Sequence, residues 1–340
     1  MLPKLSILFK VFVETKTSLK GNLVGRRTHF GEWSLLLENY GIYVALIIVL
    51  VAAGLLSPAF YQPNNIFNVL RQASMLGIVA IGQTFVILAG GIDLSVGAVM
   101  GLAMVIASDI TSGEDDQIVL AVLACFAAGG LIGGLNGLLV TKRNVPPFVA
   151  TLGMLVLVEG ARLSYTRGIP SGSIPAALRF FGRDSLGPIP TSFIVLMMIS
   201  LICGLILSQS TFGRALYATG GNREAARLSG IRVDAVTIAT YVICSILAIL
   251  GGLLLSGYIG YVDRYLGRGF DLDSIAAVIV GGTSFAGGRG GIGGTLAGVL
   301  LVTALLNIVL ILNINLQLQL VVKGLVIVGA VALYSYRARN

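Results

Sequence analysis

Ten apolar runs, 41–57, 67–90, 94–112, 118–140, 147–165, 191–208, 235–256, 273–288, 291–312 and 317–335, follow one another with short connections. A helix of about 20 such residues crosses the hydrocarbon core of a bilayer. The runs are continuous, whereas an outer-membrane barrel alternates apolar and polar residues in segments of about ten. The sequence therefore predicts an all-α fold, a polytopic membrane bundle of about ten transmembrane helices, of which 273–288 is short. Composition agrees. Only 11% of the 340 residues are charged and 56% are hydrophobic, against about 25% charged in soluble domains. Disordered, secreted disulfide-rich and nucleic-acid-binding classes are excluded, and the net charge of +8 belongs to loops rather than to a nucleic-acid surface.

Those loops set the orientation. Lys4, Lys10, Lys16, Lys20, Arg26 and Arg27 precede the first run, and further clusters are Lys142 with Arg143, then Arg214, Arg223, Arg227 and Arg232, then Arg289, then Arg337 with Arg339. They alternate with loops poor in Lys and Arg, 58–66 and the acidic 112–117, so both termini are expected in the cytoplasm. Segment 166–190, with Arg167, Arg179 and Arg183, is placed outside against its charge. Residues 1–40 read as a basic cytoplasmic segment and 41–336 as the membrane domain, with a cytoplasmic loop at 209–234. Lys10 interrupts any signal-peptide core in the first twenty residues, and a basic amphipathic segment on the inner leaflet is expected there.

Forty-five glycines let helices approach closely or break where they line a cavity. Two runs, Gly82 to Gly97 and Gly281 to Gly294, match weakly at a shift of 200 residues: Gly82 with Gly282, Phe85 with Phe285 and Gly90-Gly-Ile92 with Gly290-Gly-Ile292. Paired glycine-interrupted segments in two halves are a mark of duplicated transporters, and a Gly-broken pair is expected in the bundle.

Charges at membrane depth are costly and become functional candidates. Asp93 sits in the first glycine run, where it either caps the helix expected from Leu94 or contacts a solute. Glu159 and Arg162 are expected to neutralise each other three residues apart. Asp273 and Lys323 enter the membrane from the same side and form a candidate intramembrane pair. Gln83, Thr84, Asp93, Asn136, Asp273, Thr283, Ser284 and Asn307 are candidates for a path taken by a hydroxylated solute; each uncharged one serves equally as a bond between helices.

None of the six lysines follows a glycine, so no phosphate-binding loop exists and the chain is not expected to hydrolyse nucleotide. His29 is the single histidine, and no Cys, His and carboxylate spacing suits a metal. Cys125, Cys203 and Cys244 fall in apolar runs, as buried small side chains do. The chain is expected to be no enzyme and to bind no cofactor itself.

In the loop 209–234, Asn222 can cap a short helix, Glu224 suits its positive first turn, Ala225 and Ala226 favour helix, and Gly230 can end it in the left-handed conformation. So short a helix needs external support. Glu224-Ala-Ala-x-x-x-Gly230 resembles the coupling loop of ATP-binding-cassette importer permeases. With Gly90-Gly-Ile-Asp-Leu-Ser-Val-Gly97, Tyr217-Ala-Thr-Gly-Gly-Asn222 and Leu272-Asp-Ser-Ile-Ala-Ala-Val-Ile-Val-Gly-Gly-Thr-Ser284, the chain from about 41 to 336 resembles the ribose/xylose/arabinose/galactoside permease family. The resemblance implies a ten-helix permease of the bacterial inner membrane, working as a homodimer. It also implies a separate cytoplasmic ATPase that holds the ATP and Mg, a periplasmic sugar-binding protein, and Asn222, Glu224, Ala225, Ala226 and Gly230 as the ATPase-coupling residues. The expected cargo is a monosaccharide or small polyol. A nucleoside or sugar-like signal on the same architecture, and an ion-coupled carrier, remain the alternatives.

Overall fold

The computed structural model describes residues 30–168, 172–315 and positions 318, 321, 324, 325 and 328. Twelve α-helices follow in order: α1 (Phe30–Leu56), α2 (Pro63–Leu88), α3 (Val96–Thr111), α4 (Ile118–Lys142), α5 (Pro147–Tyr165), α6 (Ala176–Arg183), α7 (Thr191–Gln209), α8 (Thr211–Gly221), α9 (Arg223–Leu228), α10 (Val233–Ile259), α11 (Phe270–Val280) and α12 (Ile292–Ile311). A hairpin of β1 (Ser185–Leu186) and β2 (Ile189–Pro190) is the only sheet among the described residues. The architecture is the expected all-α polytopic membrane bundle. Among the described residues six helices, α2, α4, α5, α7, α10 and α12, are long and apolar enough to cross a bilayer. The tenth expected span, 317–335, and Lys323 lie outside the described residues except for isolated positions.

Differences from the sequence reading fall where backbone geometry overrides hydropathy. The run 273–288 is not one helix: α11 is 11 residues long, about 16 Å, and gives way to a turn-rich break at 281–291 in which Gly282, Gly287, Gly288 and Gly290 all have positive φ. α3 starts at Val96 rather than Leu94, after a break at 89–95. The glycine match is not a register match, because Gly82 is inside α2 while Gly282 follows the end of α11. What the two halves share is a helix, a break and a helix.

α2 and α10 form the centre. Every residue of α2 from Ala73 to Leu88 is buried, as expected of a helix apolar on all faces. α10 packs on α2, α3, α4 and α6. Its contact with α4 is made by glycines at a spacing of four. A Cβ on Gly129 would lie 3.2 Å from Ser245 O, on Gly133 2.5 Å from Tyr241 O, and on Gly137 2.7 Å from Ile238 Cα. Such small-residue stripes let two backbones touch. The outer faces of α4, α5 and α7 expose Leu120, Leu123, Leu131, Val156, Leu157 and Leu201, the surface a membrane helix offers to lipid or to another membrane subunit.

Loops segregate to two ends. At one, Asp115 Oδ1 accepts from Ala177 N at 2.9 Å, Ser173 bridges to Tyr261, and Tyr165 donates to Asp109 Oδ2 at 2.7 Å. Segments 112–117 and 172–190 and the chain at Tyr261 therefore share that end. At the other, Lys142 Nζ meets Asp234 Oδ2 at 2.7 Å and Arg227 meets Asp234 Oδ1 at 3.3 Å. The acidic 112–117 thus lies with 172–190, the segment placed outside against its charge, and Lys142 lies with the basic loop 209–234.

Candidate functional site

The break at 89–95 is held by a buried polar network. Asp93 Oδ1 accepts from Ser95 N at 2.9 Å and from Ser95 Oγ at 2.6 Å, and Ser95 Oγ accepts from Asn136 Nδ2 at 3.0 Å. Gln83 Nε2 donates to the Asp93 carbonyl at 3.1 Å, so α2 holds the far side of its own break. Gln83, Asp93, Ser95 and Asn136 are all 0% exposed. Asp93 thus folds a turn through Ser95 instead of capping a helix at Leu94.

The break at 281–291 closes on this first one. Gly288 N donates to Leu88 O at 3.0 Å. A Cβ on Gly287 would lie 2.9 Å from Gly220 O and 3.1 Å from both Gly90 N and Leu88 O. Gly220 itself leaves no room: its Cβ would overlap Leu88 O and sit 2.5 Å from Gly288 N. Tyr217 donates to Gly290 O at 2.9 Å, and burial pushes its phenol above the ordinary value. The last turn of α8 is therefore wedged against both breaks, and only glycine at these positions permits the approach. Thr84 and Thr295 hydroxyls, 2.8 Å apart, join α2 to α12 beside them.

α8 leads directly into α9. Asn222 Oδ1 accepts from Glu224 N and Ala225 N, both at 3.0 Å, which caps the six-residue helix as its sequence suggests. Gly230 ends it with φ +83°, and Ile231 N returns to Ala226 O at 3.1 Å. Ala226 faces inward, whereas Glu224 and Ala225 are exposed and Leu228 is 85% exposed. A six-residue helix is too short to stand alone, so its place depends on the chain packed behind Ala226.

The remaining expected path residues do not converge. Thr283 is buried against Gly290, and Ser284 N donates to Arg289 O at 2.8 Å inside the second break. Asn307 exchanges amide bonds of 3.0 Å with Asn65 near the end of α12. Asp273 is buried in the first turn of α11. Its proposed partner Lys323 is outside the described residues. The expected Glu159–Arg162 pair is corrected: Glu159 Oε1 meets Arg268 Nη2 at 3.1 Å, and Arg162 Nη2 donates to Arg264 O at 3.0 Å. The loop 260–269 supplies partners more than a hundred residues away, which local spacing on α5 cannot disclose. Asn65, Thr295 and Gly220 are likewise placed by distant chain, whereas Ser95 bonds Asp93 two positions away, a spacing visible in the sequence. Among the described residues no three His, Cys, Asp or Glu side chains gather to hold a metal.

Residues 65–331 match the family model described as the branched-chain amino acid transport system / permease component. The chain is 40% identical over 311 residues to the ribose import permease protein RbsC of Bacillus subtilis, covering 91% of this chain and 95% of that protein. It is 33% identical to the galactose/methyl galactoside import permease protein MglC of Escherichia coli, covering 88% and 95%. It is 35% identical to the fructose import permease protein FrcC of Rhizobium meliloti, covering 85% and 83%. No solved structure matches. With a model spanning most of the sequence and relatives matched over nearly their whole lengths, the chain belongs to this family of membrane transport permeases.

Proposed function

We propose that this chain is the membrane subunit of an importer that carries a monosaccharide or related small polyol into the cytoplasm, driven by a separate ATPase. The observation that carries the reading is end-to-end similarity to import permeases named for three different sugars. The family description names amino acids, but the full-length relatives narrow the cargo to sugars. Glu224 to Gly230 is the ATPase dock, with Asn222 as its cap, and α8 passes its displacement to the two breaks. ATP and Mg reside on the ATPase, and no cofactor is held here. A second copy of the chain and an extracytoplasmic sugar-binding protein complete the assembly, in the inner membrane of a bacterium. The Lys and Arg asymmetry supports cytoplasmic termini, with 1–40 on the cytoplasmic side. Gln83, Thr84, Asp93, Asn136, Asp273, Thr283, Ser284 and Asn307 shape the breaks and helix contacts along the path. Transport then follows from the different contacts that inward and outward states make with the solute.

The test is uptake of labelled D-ribose, D-galactose and D-fructose by vesicles holding the permease with or without its ATPase and binding protein. ATP-dependent accumulation of one of them is expected. Uptake that persists without the ATPase and follows an ion gradient assigns the chain to the ion-coupled carriers, and ATP-dependent uptake of a nucleoside alone replaces the sugar.

A further inference from the structure

The loop 260–269 does not stay at the end of the bundle. Asp263 N donates to Met104 Sδ at 3.2 Å, Leu266 O lies 3.1 Å from the Cβ position of Gly101, and Gly267 O lies 2.5 Å from that of Gly97. Its backbone thus follows α3 from its middle at Met104 down to its start at Gly97, a descent of about 10 Å at roughly 1.5 Å per residue. Only there does α11 begin. Irregular backbone at membrane depth is tolerated where it is buried in protein or lines a cavity.

A cavity of about 160 Å³ lies beside this descent, walled by Ala98, Leu155, Glu159, Arg162, Arg268 and Asp271. Arg162 is 4% exposed, and its Nε and Nη1 are buried with no hydrogen-bond partner among the described residues. Two unanswered donors on a buried guanidinium are costly, so the site asks for an acceptor. Two guanidinium groups face two carboxylates, which leaves no net charge to select an anion or a cation. A hydroxyl both donates and accepts, and so fits opposed donors and acceptors in one small chamber. At about 30 Å³ per water, the space equals roughly five waters, room for a small polyol and not for a peptide or a lipid chain. Ala98 and Leu155 offer apolar surface to its C–H face.

We infer that the cavity between α3, α5 and the loop 266–271 is a polyol-binding subsite of the transport path, with Arg162 donating to one solute hydroxyl and Asp271 or Glu159 accepting from another. This rests on the proposed function and deepens it; none of the eight path residues named from the sequence lines this cavity.

The experiment uses the complete importer in vesicles. Wild type is first screened with D-ribose, D-galactose and D-fructose, and the transported sugar is then compared with its monodeoxy analogues. Loss of one charge-assisted hydrogen bond corresponds to roughly 10-fold to 100-fold in half-saturating concentration. Wild type should therefore disfavour at least one deoxy position by that factor, and R162Q or D271N should abolish the discrimination at one position while keeping it at others. Leu155→Phe fills the chamber and should raise the half-saturating concentration about 10-fold or more while the chain still copurifies with the ATPase. Should R162Q fail to insert, D271N and L155F carry the same comparison from other walls. An unchanged pattern of deoxy discrimination in D271N together with unimpaired uptake by L155F overturns the subsite even though sugar import stands. A wild type that accumulates none of the three sugars overturns the proposed function and the subsite with it.

Discussion

Gly220 is the position where a single methyl group should do the most damage per atom. Replacing it with Ala drives a carbon into Leu88 O and within 2.5 Å of Gly288 N, the acceptor and donor of the 3.0 Å bond that ties the two breaks together. Relief requires the backbones to separate. That exposes a buried donor and acceptor at about 1–3 kcal/mol, and overpacking adds about 1–3 kcal/mol. The sum, about 2–6 kcal/mol, is a large part of the roughly 5–15 kcal/mol that holds an ordinary domain. The neighbouring Gly221 supplies the control, since nothing lies within 4 Å of its Cβ position. Gly221→Ala sits in the same last turn and gains at most about 1 kcal/mol of helix propensity. Thermal unfolding of the two purified variants in one detergent should separate them by several degrees, at about 2–4 °C per kcal/mol in domains of 150–250 residues and less in longer chains. Gly220→Ala should also lose uptake and Gly221→Ala should not. Melting points of the pair within 1 °C of each other, a spacing under about 1 kcal/mol, would refute the wedge.

Other expectations follow from features already placed. Gly230→Val forces a β-branched residue to φ +83°, costing about 1–2 kcal/mol, and Glu224→Lys puts the wrong charge at the start of α9; each should weaken ATPase retention on copurification, and full retention with normal solute-stimulated hydrolysis would remove the dock. Asn222→Ala removes the acceptor of two N–H groups at about 1 kcal/mol, read as faster hydrogen exchange in 223–228 while α10 is unchanged. A thiol placed at 115 should react with an impermeant reagent from outside and one at 142 or 228 should not; the reverse inverts the topology. Lys323→Met and Asp273→Asn should each impair assembly or transport, with the double change doing less harm than the sum, whereas strict additivity dissolves the pair.

Hydropathy made the crossing helices readable because a bilayer punishes any other pattern. The ends of α5 at Pro147 and Tyr165 coincide with the apolar run. The cap of α9 was equally readable, since Asn222 acts on amides two and three residues away. What failed was everything set by distant chain. Glu159 and Arg162 share a helix face, yet Arg268 and the Arg264 carbonyl reach them first. Asn307 bonds Asn65, 242 positions away, a partner that the sequence could not name although a bond between helices was one of the two roles left open to it. The run 273–288 kept its apolar character through a stretch where four glycines turn the backbone, because hydropathy is blind to φ. Gly129, Gly133 and Gly137 were visible at a regular spacing, but the helix they serve is named only by the packing.

That glycine stripe also decides which parts of the molecule can move. Sliding α10 by one residue, or rolling it about its axis, would bring a side chain against α4 backbone at three levels at once, and packed surfaces change between discrete fits rather than gliding. The exposed Lys142–Asp234 bridge adds a small clasp at one end. α4 and α10 thus behave as a stator. Under the proposed coupling, strokes delivered through α8 have to be taken up by the segments around it, the two glycine elbows and the descending loop, so that the rigid half is specified by the residues with no side chain at all.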